Sequence, residues 1–162
     1  MINSIIFLIS VIAAIIHLSS RKKARSNGGV IEILLSYLIP LNIGVMALII
    51  WIVNAFYASE AAKMMGWLTN SPFQFEVAVA NLGFAIVGIL SIWQRKGFWL
   101  ATVLANSIYV LGCAWGHYRL FHTHTTAMHH GSFLFIDSVL IPIILLALTL
   151  MYARQNKYFK DC

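Results

Sequence analysis

Five long apolar stretches, residues 2–18, 33–58, 73–93, 98–120 and 132–152, take up most of the chain. A helix crosses bilayer hydrocarbon in roughly 20 mostly apolar residues at about 1.5 Å rise each, so every stretch is a candidate span, the first at the short limit. The runs are continuous and lack the alternation of lipid-facing and lumen-facing residues that barrel strands show. Backbone amides must then pair within each segment, which leaves a helical bundle. Composition agrees: 10% of residues are charged and 60% hydrophobic, where a soluble domain carries about 25% and 45–50%. The expectation is one all-α integral membrane domain over residues 1–162, with five transmembrane helices, or four if the first is not a span. A secretory signal would carry its charges ahead of the apolar run. Here Arg21, Lys22, Lys23 and Arg25 follow it, so the first stretch reads as a retained anchor.

Lys and Arg collect in the short cytoplasmic loops of membrane proteins. With five spans, nine of the eleven basic residues fall on one side: Arg21, Lys22, Lys23, Arg25, Arg95, Lys96, Arg154, Lys157 and Lys160. Only Lys63 and Arg119 fall on the other, and dropping the first span leaves this division unchanged. The amino terminus is therefore expected outside and the carboxyl terminus in the cytoplasm. The same bias, with attraction to anionic headgroups, accounts for the net charge of +6 without a nucleic acid partner. The lipid bilayer is the expected partner, with a homo-oligomer or a larger membrane complex left open.

An ionisable group in hydrocarbon costs at least about 2.5–3.5 kcal/mol, which makes it a functional candidate. Glu76 and Asp137 each lie one to two turns inside a span, counted from the outer side. Ala80 and Gly83 follow Glu76 at helical spacing, and small residues admit a neighbouring helix, so Glu76 is expected to face the bundle. In the fourth span Asn106, Tyr109, Cys113 and His117 share one helical face. Asn106 and Tyr109, like Asn54 and Asn81, are expected to join helices, and Cys113 to fill apolar space. Pro40 and Pro142 free the carbonyls of Ser36 and Ser138 and predict kinks. Trp67, Trp93 and Trp99 read as interface anchors, and His17 as an interfacial residue at the inner end of the first span.

Five of six histidines fall between positions 117 and 130: His117, His122, His124, His129 and His130. Imidazole is the commonest ligand for transition metals, so His117 with several of the others, joined by Glu76 or Asp137, is a candidate divalent metal site. Imidazole with carboxylate suits zinc or iron, and Met128 or Cys113 would favour copper. The spacing of His122 and His124 suits a strand or turn. The competing readings are a solvated loop whose histidines titrate near pH 6.5 and a proton-handling group of Glu76, His117 and Asp137.

The segments Gly66-Trp-Leu-Thr-Asn-Ser-Pro-Phe-Gln-Phe-Glu-Val77, Ala80-Asn-Leu-Gly83, Phe98-Trp-Leu-Ala-Thr102, Gly116-His117 and 137–142 resemble a family of small multispanning bacterial inner-membrane proteins with no assigned function. The likeness covers residues 42–150, and its Ser-Pro-Phe-Gln-Phe-Glu segment is its most specific part. It implies a bacterial inner-membrane location and brings no reaction. Glu76, His117 and Asp137 fall on the pattern, whereas the dense histidines do not. Within that segment Ser71 can cap a helix and Pro72 can open it. Three functional readings follow: an outward-facing His/carboxylate cluster that binds a divalent metal or handles protons; a metal-dependent membrane oxidoreductase or hydrolase; and a non-catalytic accessory or structural subunit. No P-loop, dinucleotide fingerprint or nucleophile elbow favours the second, and no catalytic residue is assigned.

Overall fold

A computed structural model describes residues 2–20, 27–65, 72–123 and 131–156. These residues are helical apart from short turns, with no strand among them. In order they form α1 (Ile2–Ser20), α2 (Asn27–Ile39), a π-helical segment (Pro40–Val45), α3 (Met46–Phe56), α4 (Ala58–Met65), α5 (Pro72–Leu90), α6 (Gly97–Thr123) and α7 (Gly131–Gln155). Five helical stretches are long and apolar enough to cross a membrane. The second, Gly29–Phe56, has a mean hydropathy of 2.3 and joins α2, the π segment and α3 into one span. The first stretch qualifies too, as Ile2–Ser20 with the same mean hydropathy, so the fold is a five-span all-α bundle.

Pro40 has no amide hydrogen for the Ser36 carbonyl, and the sequence predicts a kink there. There the chain widens into six π-helical residues and returns to α-helix at Met46. Asn42 ties the widened segment in place: its Nδ2 donates to the Leu38 carbonyl at 3.0 Å and to Ser10 Oγ of α1 at 3.0 Å. α7 runs on without a break through Pro142, whose carbonyl accepts from Ser107 Oγ of α6 at 3.4 Å.

The second span is the centre of the bundle. Leu35, Leu38, Ile39 and Ile43 pack with Trp99 and Val103 of α6 and with Leu145 and Tyr152 of α7. α1 lies along α2 and the π segment through its buried Ser10 and Ala14, while its Ile5, Ile9, Ile12 and Ile16 point outward. Such an outward apolar face fits the hydrocarbon of a bilayer. α5 packs closely on the π segment and α3, where Gly44 and Gly88 bring two backbones together. A Cβ on Gly44 would lie 2.9 Å from the Gly88 carbonyl carbon, so a larger residue at this crossing must push the two backbones apart. α6 packs along α7, whereas α5 and α6 touch only sparsely.

Candidate functional site

The described members of the predicted cluster belong to three different helices. Asp137 of α7 is half-buried and accepts a hydrogen bond from Ser4 Oγ of α1. His117 is half-buried on α6. Glu76, expected to face the bundle, is exposed on α5 and makes no hydrogen bond or ion pair among the described residues. The reason is local. Ala80 and Gly83, which share its helical face, line an open cleft and not a helix contact. Among the described residues no three His, Cys, Asp or Glu side chains are grouped closely enough to hold a metal ion. His122 lies on helix, since α6 continues to Thr123, and not on the strand or turn its spacing suggested. His124, His129 and His130 fall outside the described residues, as do Trp67 and Ser71.

Several of the other polar side chains inside the spans bridge neighbours. Asn81 Nδ2 of α5 donates to the Tyr109 hydroxyl of α6 at 3.0 Å and to its own Val77 carbonyl at 2.8 Å. Phe84 adds a ring contact to Tyr109 at 5.0 Å between centroids. Gln74, nearly fully buried, donates to the Ala58 carbonyl at 2.6 Å and to Asn54 Oδ1 at 3.4 Å, tying α5 to the α3–α4 corner. The interhelical roles expected of Asn54, Asn81 and Tyr109 are thus present, and Asn106 is buried. Cys113 differs from expectation, being an exposed free thiol.

Beside the Asn81–Tyr109 bridge, α5 and α6 separate into an apolar cleft of about 490 Å³. Ala80, Gly83, Phe84 and Val87 line one wall, and Phe98, Ala101, Thr102 and Ala105 the other. Gly83, Ala101 and Ala105 are exposed, so the cleft opens sideways.

The model of a family of unknown function, DUF6790, matches residues 1–158. The chain belongs to DUF6790. The membership agrees with the expected uncharacterised family and extends well beyond residues 42–150. No curated protein and no solved structure matches the chain.

This DUF6790 member also has a polar cluster at the opposite end of the bundle, which the sequence reading overlooked. Glu32 Oε1 of α2 accepts from Arg95 Nη1 at 2.6 Å, and the Arg95 guanidinium lies 5.7 Å from the centre of the Trp99 ring. Trp99 is fully buried, donates to the Ser91 carbonyl at 2.8 Å and packs against Tyr152 at 5.3 Å. It is therefore a core residue where an interface anchor was expected, while Trp93 is 68% exposed. His17 of α1 is half-buried and bonds the Tyr37 hydroxyl at 3.1 Å. A signal for the ion pair was available, since five antiparallel spans put Glu32 and Arg95 on one side.

Proposed function

We propose that this DUF6790 chain is a non-catalytic accessory or structural subunit of a membrane, acting through its shape and outer surface. The observation that carries the reading is the use of polar side chains to join helices: Ser10 to Asn42, Gln74 to Asn54, Asn81 to Tyr109, and Ser4 to Asp137. In hydrocarbon such bonds are worth on average about 0.6 kcal/mol each and hold a bundle together. Asp137, one of the two intramembrane carboxylates expected from the sequence, is engaged in this way. A bacterial inner membrane, with the amino terminus outside, is the location supported by the family resemblance and by the nine-to-two division of basic residues.

Elemental analysis of protein purified in detergent at pH 7.5, after exposure to zinc, copper and iron in turn, tests the reading. Occupancy should stay at background, and proteoliposomes should pass protons no faster than empty ones. Stoichiometric metal that falls in the His122→Ala, His124→Ala double variant but not in His17→Ala would overturn it in favour of a metal site in the histidine segment. Loss of metal in His117→Ala alone would point to a site built on His117 and the carboxylates. For the orientation, an impermeant thiol reagent added to intact cells should label a Thr125→Cys variant in a Cys113→Ala, Cys162→Ala background. Labelling only after the inner face is opened reverses the assignment.

A further inference from the structure

We infer that the cleft between α5 and α6 binds an anionic phospholipid from the leaflet on the residue 91–96 side, with acyl chains between the helices and the headgroup at Lys96. The inference stands independently of the accessory role, because a metal-binding or catalytic chain could hold the same lipid.

The walls favour hydrocarbon chains: Ala80 to Val87 covers seven residues, about 10 Å of helix axis, along a cleft of about 490 Å³ that opens sideways. The eight lining residues offer almost no polar surface, and Ala80, Gly83, Ala101 and Ala105 leave room where larger side chains would close the seam. The Asn81–Tyr109 bridge joins the same two helices beside the cleft.

Charge selects the headgroup. Lys96 precedes Phe98, at one end of the cleft, by two residues, which puts its Cα within about 7 Å of the lining. Its backbone is left-handed, with φ of 62°, at the turn that returns the chain into α6. Its side chain is exposed and makes no ion pair or hydrogen bond among the described residues. Arg95 beside it bonds Glu32 yet keeps 48% of its side chain exposed, and exposed Trp93 marks the same membrane surface. An apolar slot between spans that ends at basic residues is the arrangement that recognises an acidic lipid headgroup.

The test is native mass spectrometry of the protein released from nanodiscs of equal palmitoyl-oleoyl phosphatidylglycerol and phosphatidylcholine. The wild-type protein should retain phosphatidylglycerol preferentially. Lys96→Gln should cut that preference about fivefold, the factor expected of one cation near anionic headgroups. Lys63→Gln, at the other surface, should leave it unchanged. Gly83→Leu with Ala101→Leu should displace both lipids; a Cβ on Gly83 meets nothing within 4 Å, so the new side chain has room. Equal retention of the two lipids by the wild-type protein would overturn the inference. So would lipid adducts that persist in the filled variant, an effect of Lys63→Gln equal to that of Lys96→Gln, or a wild-type dimer that the filled variant converts to monomer, which would make the occupant a second copy.

Discussion

Replacing Gly88 by Ala should destabilise the bundle by about 2 kcal/mol, although Ala is the better helix former. A Cβ built there meets the Gly44 amide nitrogen and lies 2.5 Å from the Gly44 Cα and 3.0 Å from the Ile43 carbonyl carbon. Ordinary carbon contacts are about 3.5–4.0 Å, so α5 and the π segment must part by on the order of 1 Å. The obstructing atoms are backbone, and no rotamer change relieves them. Overpacking of this kind costs about 1–3 kcal/mol, with a backbone clash at the upper end or beyond. The helix propensity gained on leaving Gly is about 0.8–1.0 kcal/mol. The difference, about 2 kcal/mol, is roughly a thirtyfold change in the unfolding constant. Gly44→Ala meets atoms at 2.9–3.1 Å, one of them on the Ile89 side chain, and should lose about 1 kcal/mol. Gly83→Ala meets nothing and should be neutral or gain up to about 1 kcal/mol. The Gly44→Ala, Gly88→Ala double variant should cost less than the two single changes added, because one separation relieves both clashes. Unfolding with sodium dodecyl sulfate in mixed micelles, followed by tryptophan fluorescence, measures all four. If Gly88→Ala unfolds at or above the wild-type detergent fraction, or Gly83→Ala falls as far as Gly88→Ala, the crossing does not limit stability and the reasoning fails.

Trp99→Phe should cost about 1–3 kcal/mol in the same assay, because it leaves the buried Ser91 carbonyl without its donor, while Trp93→Phe at the exposed neighbouring position should stay within about 0.5 kcal/mol. Tyr109→Phe removes the Asn81 bridge and should cost about 0.6 kcal/mol, with about 1.7 as the ceiling. Arg95→Gln should change stability by no more than about 1 kcal/mol, an effect that fades at 1 M salt, because both members of its ion pair are more than one-third exposed.

The number of spans and the helical class were legible because hydrocarbon imposes length and polarity on every crossing segment, whatever its neighbours. Interhelical roles for Asn54, Asn81 and Tyr109 were legible for the same reason: a buried amide or hydroxyl must find a partner. The direction of Glu76 was not. Small residues at positions 80 and 83 permit a close helix contact but equally permit an open seam, and spacing within one helix cannot tell the two apart. Trp99 was misread because aromatic residues near a span end serve as interface anchors or core residues alike. The outcome depended on the turn at 91–96, which directs the indole nitrogen to the Ser91 carbonyl. Pro40 marked an irregularity, but its form depended on Asn42 reaching Ser10 on another helix.

α5 separates the tight part of the molecule from the open one. One of its faces is fixed to the central span by the Gly44–Gly88 crossing and by Gln74 at the α3–α4 corner. The other meets α6 through little more than Tyr109. Lipid tails are as apolar as leucine, so the bundle gains little hydrophobic energy by closing this second seam, and packing and hydrogen bonds alone decide whether it shuts. With Ala80, Gly83, Ala101 and Ala105 on its walls there are few side-chain atoms to pack across it. The seam therefore stays open until hydrocarbon from outside the chain fills it, whereas the π segment widens a helix to keep the opposite face of α5 closed.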